Sequence, residues 1–155
     1  MADHTALELD TILYHLGQAG SRLAEIGAAE GAAGNISVCL RQPLDVGAQF
    51  PQTQEIELPH AAPELAGMML VVSGSGRRLR EIAESPLGNL ACVLIHPGGR
   101  RGKMHTSPQR QFQRVTSEFN SHLGVHADRM RLTDIPLHAV IHAQPVHLTH
   151  LSHLE

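Results

Sequence analysis

The sequence has very few aromatic side chains: it contains no Trp, one Tyr and three Phe. Proteins that bind single-stranded nucleic acid stack bases on aromatic rings, and this chain offers few such platforms. Half of its twelve Lys and Arg residues occur in two short runs, 77–80 and 100–103, that are typical of solvated loops, and the formal net charge is −3 with His neutral. We therefore expect no nucleic-acid partner, and a core built from Leu, Val, Ile, Ala and Met.

Cysteine is also scarce, and long apolar segments are missing. Cys39 and Cys92 lie far apart in apolar surroundings, which argues against a disulfide framework and fits a reducing compartment. No apolar segment reaches the length of about 18 residues that a membrane-spanning helix needs. Because the N-terminus is acidic and polar rather than a signal peptide, we expect a cytoplasmic protein with no membrane partner.

The remaining composition is that of a soluble globular protein. Of the 155 residues, 42% are apolar and 17% are charged. A chain of this length has room for one domain with a core of its own, and it contains no internal repeat and no linker. The sequence therefore predicts a single domain over residues 1–155.

Helical and strand periodicities alternate along the chain, which predicts an α/β or α+β layered fold. Ile36, Val38 and Leu40 alternate with their neighbours and should share one face of a short strand. The predicted helices cover residues 7–26 and 116–130, and the predicted strands cover 36–40, the start of 68–76, 89–96 and 137–143. Other segments are expected to form a long loop at 41–66 with an edge strand near Glu55 to Leu58, a turn at 97–103, and a last helical turn after Pro145.

Two glycine-containing turns, "GNIS" (34–37) and "SGSG" (73–76), lie at strand ends. Backbone N–H groups beside small hydroxyls suit a phosphate dianion, which several donors must approach without obstruction. Each turn can equally be a tight turn that needs a glycine at positive φ. Both interpretations stay open for each turn.

The segment "VTSE" (115–118) precedes the second predicted helix. Thr116 or Ser117 would cap this helix, with Glu118 as a first-turn acid favoured by the helix dipole. One side of the helix is expected to carry Phe119, His122, Leu123 and His126.

Histidines crowd into residues 138–155. His142 lies in an apolar strand, where a hydrogen-bonded core histidine is commoner than a metal ligand. His147, His150 and His153 are spaced three apart and would share a helix face. A fraying helix end gives poor ligand geometry, so we expect no built metal site from these three.

Taken in order, "AEGAAGNISV", "VVSGSG", "VTSEFNSH" and "HAVIHAQPVHLTHLSH" resemble the successive motifs of the class II aldolase/adducin family. The resemblance implies a three-layer αβα fold with a mostly antiparallel central sheet. It also implies a homo-oligomer, by family precedent a cyclic tetramer, with one Zn²⁺ per subunit. The activity implied is a lyase that cleaves a phosphorylated ketose into dihydroxyacetone phosphate and an aldehyde.

The resemblance also assigns roles to individual residues. Glu118 matches the acid/base glutamate, and His142 matches the first zinc histidine. Zinc stabilises the negative charge that forms when the carbon–carbon bond breaks, so no Schiff-base lysine is required, and Lys103 is the only lysine here. The positions that match the phosphate-binding motifs are Gly34, Asn35, Ser75, Gly76, Thr116 and Ser117.

The sequence departs from the family pattern at three points. Gln144 stands where a second zinc histidine belongs, so either Gln144 or His147 would complete the site. Ala32 replaces an asparagine before the Gly-Asn turn. The family's third zinc histidine would lie beyond Glu155, so the expected fold is C-terminally incomplete, with loosely held zinc and weak or no aldolase activity of these 155 residues alone.

Relatives in the same family perform other reactions on similar phosphorylated substrates. A dehydratase or an epimerase would use the same motifs, and a non-catalytic scaffold like adducin would keep the fold for self-association. The motifs alone leave these alternatives to the aldolase open.

Overall fold

A computed structural model describes residues 8–153. Six strands form one sheet in the order β2-β5-β4-β3-β1-β6, and every adjacent pair is antiparallel. The strands are β1 (Asn35–Leu40), β2 (Gln52–Glu57), β3 (Met69–Ser73), β4 (Leu90–Ile95), β5 (Arg101–Thr106) and β6 (Leu137–His142). The helices are α1 (Leu9–Glu25), α2 (Pro86–Asn89), α3 (Phe119–Leu132) and α4 (Val146–Leu151), with 3₁₀ turns at Pro63–Leu65 and Leu79–Glu81.

The two faces of the sheet are covered by different helices. On one face, Ile36, Val38 and Leu40 of β1 pack in one apolar cluster with the buried side of α1. On the other face, Cys39 of β1 lies in a second cluster with Leu123 of α3. The predicted alternation of β1 is confirmed, and so are the three layers and the antiparallel sheet.

The helix predicted over residues 7–26 is α1, which begins at Leu9 and ends at Glu25; residue 7 lies outside the described residues. No helix within residues 8–153 is long and apolar enough to cross a membrane.

The turn predicted at 97–103 is wrong in its second half, because β5 begins at Arg101. Charged residues at this strand suggested a loop, but they alternate with buried positions and face the edge strand β2. Arg101 lies opposite Glu57, and Lys103 lies opposite Glu55. Opposite charges across neighbouring strands stabilise their pairing. The acidic residues of β2 and the basic residues of β5 are therefore cross-strand partners.

The start of α3 also differs from the prediction. Glu118, rather than Thr116 or Ser117, occupies the N-cap position, and no side chain caps the helix from there. Thr116 Oγ1 instead accepts a hydrogen bond from the Glu118 backbone N–H at 3.3 Å. The carboxylate of Glu118 is therefore not used for capping.

The inner face of α3 buries two imidazoles, His122 and His126, at 1% and 0% exposure. Ser37 Oγ lies 2.6 Å from His122 Nδ1 and 2.7 Å from His126 Nε2. Burial lowers the pKa of His122 to about 4, with the charge of Glu118 opposing and that of His142 adding to the shift. Burial also lowers the pKa of His126 to about 3, helped by neighbouring His138 and His122. Both rings are neutral at pH 7.

These shifts predict that acid destabilises the fold. Below about pH 6.5 both histidines are protonated in the unfolded chain but stay neutral in the folded one, so folded stability falls as pH drops. Each histidine adds a slope of up to about 1.4 kcal/mol per pH unit. Urea titrations between pH 7.5 and 5 measure the slope.

The substitution His126→Gln should remove one histidine's share of that slope. The exposed His147→Gln is the matched control and should leave the slope as it is. Parallel stability curves for His126→Gln and the unchanged protein would contradict the prediction.

Candidate active site

The turns singled out in the sequence meet at one edge of the sheet. Because β1 runs antiparallel to β3 and β6, its first residue lies beside the last residues of both neighbours. Asn35 at the start of β1 pairs with His142 at the end of β6. The Ile36 backbone N–H donates to Ser73 Oγ at the end of β3, at 3.1 Å.

The approach to α3 is tied to the same edge. The Ser75 N–H donates to the carbonyl of Arg114, and the Thr116 N–H donates to the carbonyl of Ser73, each at 2.9 Å. A bridge between Gly74 and Val115 joins the two segments. The "SGSG" turn and the "VTSE" segment are therefore held side by side.

A polar cavity of about 160 Å³ lies between these segments. Its lining includes every residue that the resemblance assigns to phosphate, namely Gly34, Asn35, Ser75, Gly76, Thr116 and Ser117. Glu118, His142 and Gln144 also line it. His147 does not; it lies exposed on α4.

The cavity wall presents backbone donors. Within residues 8–153, the N–H groups of Gly34, Gly76 and Ser117 donate to no backbone carbonyl. Gly34 and Gly76 have φ of 95° and 74°, so both turns also need glycine for conformational reasons. Backbone N–H groups without a backbone acceptor, brought together beside a cavity, are the donors from which anion-binding concavities are built.

Arg77 lines the cavity too, which corrects its interpretation as part of a solvated run. Its side chain is only 21% exposed, and its guanidinium is held by Glu81 Oε2 at 2.6 Å, Asn89 Oδ1 at 2.7 Å and Gln111 Oε1 at 2.8 Å. The signal in the sequence was its position directly after the "SGSG" turn. Arg77 brings a fixed positive charge to a wall that otherwise carries the acid Glu118.

Glu118 and His142 form a pair at the cavity wall. Glu118 Oε2 contacts His142 Nδ1, and Asn35 Nδ2 lies 3.3 Å from each of these two atoms. Their side chains are 43% and 36% exposed, so a ligand can reach both. His142 is therefore not an enclosed core histidine, and the Glu118 carboxylate lies beside the polar cavity.

The donors at this wall supply only part of a zinc site. His142 offers an imidazole, and Gln144 offers an amide oxygen, but a catalytic zinc normally has three protein ligands. No group of three or more His, Cys, Asp or Glu among residues 8–153 is arranged to hold a metal ion. These residues therefore fit a metal only weakly.

A chain of buried side chains leads away from Asn35. Asn35 Oδ1 contacts His122 Nε2, and His126 Nδ1 lies 2.9 Å from His138 Nδ1, with Ser37 between the two α3 histidines. Helix spacing predicts that both histidines lie on one side of α3, but it does not identify Ser37 or His138 as their partners. Partners on β1 and β6 are not visible from helix spacing alone.

The chain is similar to a known protein family and to two aldolases. The family described as "Class II Aldolase and Adducin N-terminal domain" matches residues 15–155. Rhamnulose-1-phosphate aldolase of Yersinia pestis (strain Pestoides F) is 28% identical over 106 residues, which are 68% of this chain and 38% of that protein. The enzyme of the same name from Yersinia pseudotuberculosis serotype IB (strain PB1/+) is 27% identical over the same length. The chain thus matches 38% of the length of these curated relatives.

A solved structure shares the fold. The crystal structure of a sugar-phosphate aldolase from Thermotoga maritima superposes with a TM-score of 0.74 at 26% identity. The match covers 95% of this chain and 59% of that one.

The geometry at Gly34 predicts a cost for any side chain there. A Cβ would lie 3.0 Å from the His142 carbonyl oxygen, at a φ of 95° that L-residues rarely adopt. We expect Gly34→Ala to lower the free energy of unfolding by about 1–3 kcal/mol, measured by urea denaturation.

Gly124→Ala is the matched control, because Gly124 is exposed on α3 and a Cβ there meets nothing within 4 Å. It should stabilise the helix by about 0.5–1 kcal/mol. Equal midpoints for Gly34→Ala and the unchanged protein would show that the turn tolerates a side chain.

Proposed function

Because the chain belongs to the class II aldolase and adducin family, we propose that it binds a phosphorylated ketose such as rhamnulose 1-phosphate and supplies the acid/base carboxylate for its cleavage. The products would be dihydroxyacetone phosphate and an aldehyde. The observation that carries this proposal is the cavity, where the matched phosphate-binding residues and Glu118 share one wall. The aldolase names of its relatives support the same reaction class.

The phosphoryl group would occupy the polar cavity. The N–H groups of Gly34, Gly76 and Ser117 have no backbone acceptor within residues 8–153 and would donate to its oxygens. Ser75 and Thr116 line the same cavity, and their hydroxyls would add further donors. Hydrogen bonds to an ionised acceptor are stronger than neutral ones, so these groups would anchor the substrate.

Glu118 would move the proton. As the carbon–carbon bond breaks, the hydroxyl on the departing carbon loses its proton to the Glu118 carboxylate and becomes the aldehyde oxygen. Glu118 then returns the proton to the carbon of the fragment that keeps the phosphate. A single carboxylate therefore serves as base and then as acid, with no net change in its own protonation.

Asn35 would hold that carboxylate in place, because its Nδ2 lies 3.3 Å from Glu118 Oε2. His142, with Gln144 or His147, would contribute ligands to Zn²⁺. When bound, zinc supplies an electrophile that stabilises negative charge on the substrate, the role that a Schiff-base lysine plays in other aldolases. Lys103, on β5, does not line the cavity.

On the basis of the same family resemblance, we propose that the protein is cytoplasmic and forms a homotetramer. Apolar side chains on β6 and α4 are exposed in the single chain, including Ile141, Leu148 and Leu151. Exposed apolar side chains of this size favour association.

The role of Glu118 predicts a separation between binding and turnover. With zinc added in excess, whatever cleavage of rhamnulose 1-phosphate the unchanged protein performs should fall in Glu118→Gln by up to about 10²–10⁴-fold, because the amide cannot accept the proton. Inorganic phosphate should bind no more weakly, and zinc content should not fall. A coupled assay for dihydroxyacetone phosphate measures turnover, and ³¹P NMR titration measures phosphate binding.

Glu84→Gln makes the same charge change at an exposed position away from the cavity and is the control. Loss of zinc in Glu118→Gln would make Glu118 a ligand rather than the proton carrier. Absence of phosphate binding by the unchanged protein would favour a non-catalytic scaffold.

The partial ligand set predicts weak zinc binding. After dialysis, the chain should hold well under one equivalent, and His142→Ala should remove what remains. Gln144→His creates a His-x-His pair on one side of the chain and should tighten binding by about tenfold or more, since imidazole is the better zinc ligand.

Competition with a chromophoric chelator measures these affinities. His147→Gln tests the other candidate ligand, because it weakens binding only if α4 contributes. One equivalent of tightly held zinc that survives His142→Ala would overturn the ligand assignment.

A further inference from the structure

A continuous line of polar side chains runs from the surface through the core to the candidate active site. His138 Nδ1 lies 2.9 Å from His126 Nδ1, and His126 Nε2 lies 2.7 Å from Ser37 Oγ. Ser37 Oγ lies 2.6 Å from His122 Nδ1, and His122 Nε2 contacts Asn35 Oδ1. Ser37, His122 and His126 are 0–1% exposed, and His138 is half-buried.

The direction of each hydrogen bond can be assigned by starting from Glu118, at the active-site end of this line of side chains. The Glu118 carboxylate only accepts, so the Asn35 atom facing it must be the donor Nδ2. Asn35 Oδ1 then faces His122 and needs a donor, which must be the His122 Nε2–H. A neutral His122 therefore has a bare Nδ1, which accepts from the Ser37 hydroxyl.

The same logic continues outward. Ser37 has donated its only proton, so its oxygen accepts from the His126 Nε2–H. His126 Nδ1 is then bare and accepts from the His138 Nδ1–H. Every donor in the line points toward the active site, and every ring has one assigned tautomer.

The neutral state of the two inner rings supports this assignment. Burial lowers the pKa of His122 to about 4 and that of His126 to about 3. A doubly protonated ring at either position would have two donors and could not accept from its neighbour.

The line cannot carry protons into the site. Its inner end is the Asn35 carboxamide, in which Oδ1 accepts a hydrogen bond and Nδ2 donates one. A neutral amide does not ionise at pH 7, so neither atom passes a proton to the other. A proton that reached Asn35 Oδ1 would have no route to Glu118. The line is therefore suited to fixing orientation rather than to conducting charge.

Orientation matters at Asn35 because its two polar ends are nearly equal in size. If the amide turned over, Oδ1 would face the Glu118 carboxylate, and Nδ2 would face the His122 N–H. Both contacts would be repulsive, and Glu118 would lose the donor that holds it. A serine and two histidines in a face otherwise packed with Leu123, Phe119 and Met130 are costly unless fully paired, and here they are paired.

We propose that Ser37, His122 and His126, with His138 at the outer end, are positioning residues that lock the Asn35 carboxamide with Nδ2 toward Glu118. This inference deepens the proposed function, on which the catalytic importance of the Asn35 orientation rests. None of the four residues touches the cavity where substrate would lie.

The tautomers give the first test. In the full chain labelled with ¹⁵N histidine, long-range ¹H–¹⁵N spectra at pH 7 should find His122 and His126 as Nε2–H tautomers and His138 as the Nδ1–H tautomer. Assignment comes from single His→Gln substitutions. A dominant Nδ1–H form of His122 would overturn the proposal, because that ring could not donate to Asn35.

Variants give the second test. Ser37→Ala should leave His122 in a mixture of tautomers and shift or broaden the Asn35 side-chain NH₂ signals. Ser37→Thr keeps the hydroxyl and should restore both signatures. Val71→Ala destabilises the opposite face of the same sheet and should move neither, which separates positioning from general loss of stability.

If Ser37→Ala does not fold, the outer end remains testable. His138→Phe keeps a ring of similar shape at a half-buried position and removes the donor to His126. His126 should then populate both tautomers. Unchanged tautomers in His138→Phe, or an unchanged Asn35 signal in a folded Ser37→Ala, would end the proposal.

Titration of the unchanged protein with inorganic phosphate keeps this inference separate from the proposed function. If no phosphate binds but the tautomers are as assigned, the proposed function fails and the positioning line stands. If phosphate binds and the tautomers are otherwise, the positioning line fails alone.

Discussion

The antiparallel pairing of β1 between β3 and β6 is the constraint on which the site depends. Its register sets Asn35 against His142 and sets Ser37 against Val72. Side chains on a strand alternate between faces, so a shift of one residue would exchange the two faces. Ser37 would then turn toward α1, and an isoleucine would meet the buried histidines of α3. One register thus fixes both the apolar layers and the cavity.

Much of this arrangement could be predicted from the sequence, because local patterns encode it. The alternation in "ISVCL" gave the correct faces of β1, and helix spacing put His122 and His126 on the buried side of α3. The cavity-lining glycines and hydroxyls came from motif resemblance rather than from spacing. In the structure these positions line one cavity, and their proximity across distant segments was implied by the family resemblance rather than by any local pattern.

What could not be predicted depends on contacts between distant segments. The sequence predicts a turn over the first three residues of β5, because the charges there are only informative beside β2, and that pairing joins segments nearly fifty residues apart. The sequence predicts a solvated Arg77, because its acceptors Asn89 and Gln111 come from other elements. An alternating strand pattern does not show which side chains of α3 contact Ser37, so the role of Ser37 could not be predicted. In each case, the missing information was a tertiary partner.

The alternation of side chains along β6 also affects the candidate zinc site. Residues two apart in an extended chain point to the same side, and Gln144 lines the cavity with His142 although β6 has ended. The Gln144 N–H donates to the Ala28 carbonyl at 2.8 Å, so the backbone there is held rather than free. Position 144 therefore lies on the same cavity wall as His142. Under the proposed function, the amide of Gln144 would be a poorer zinc ligand there than an imidazole.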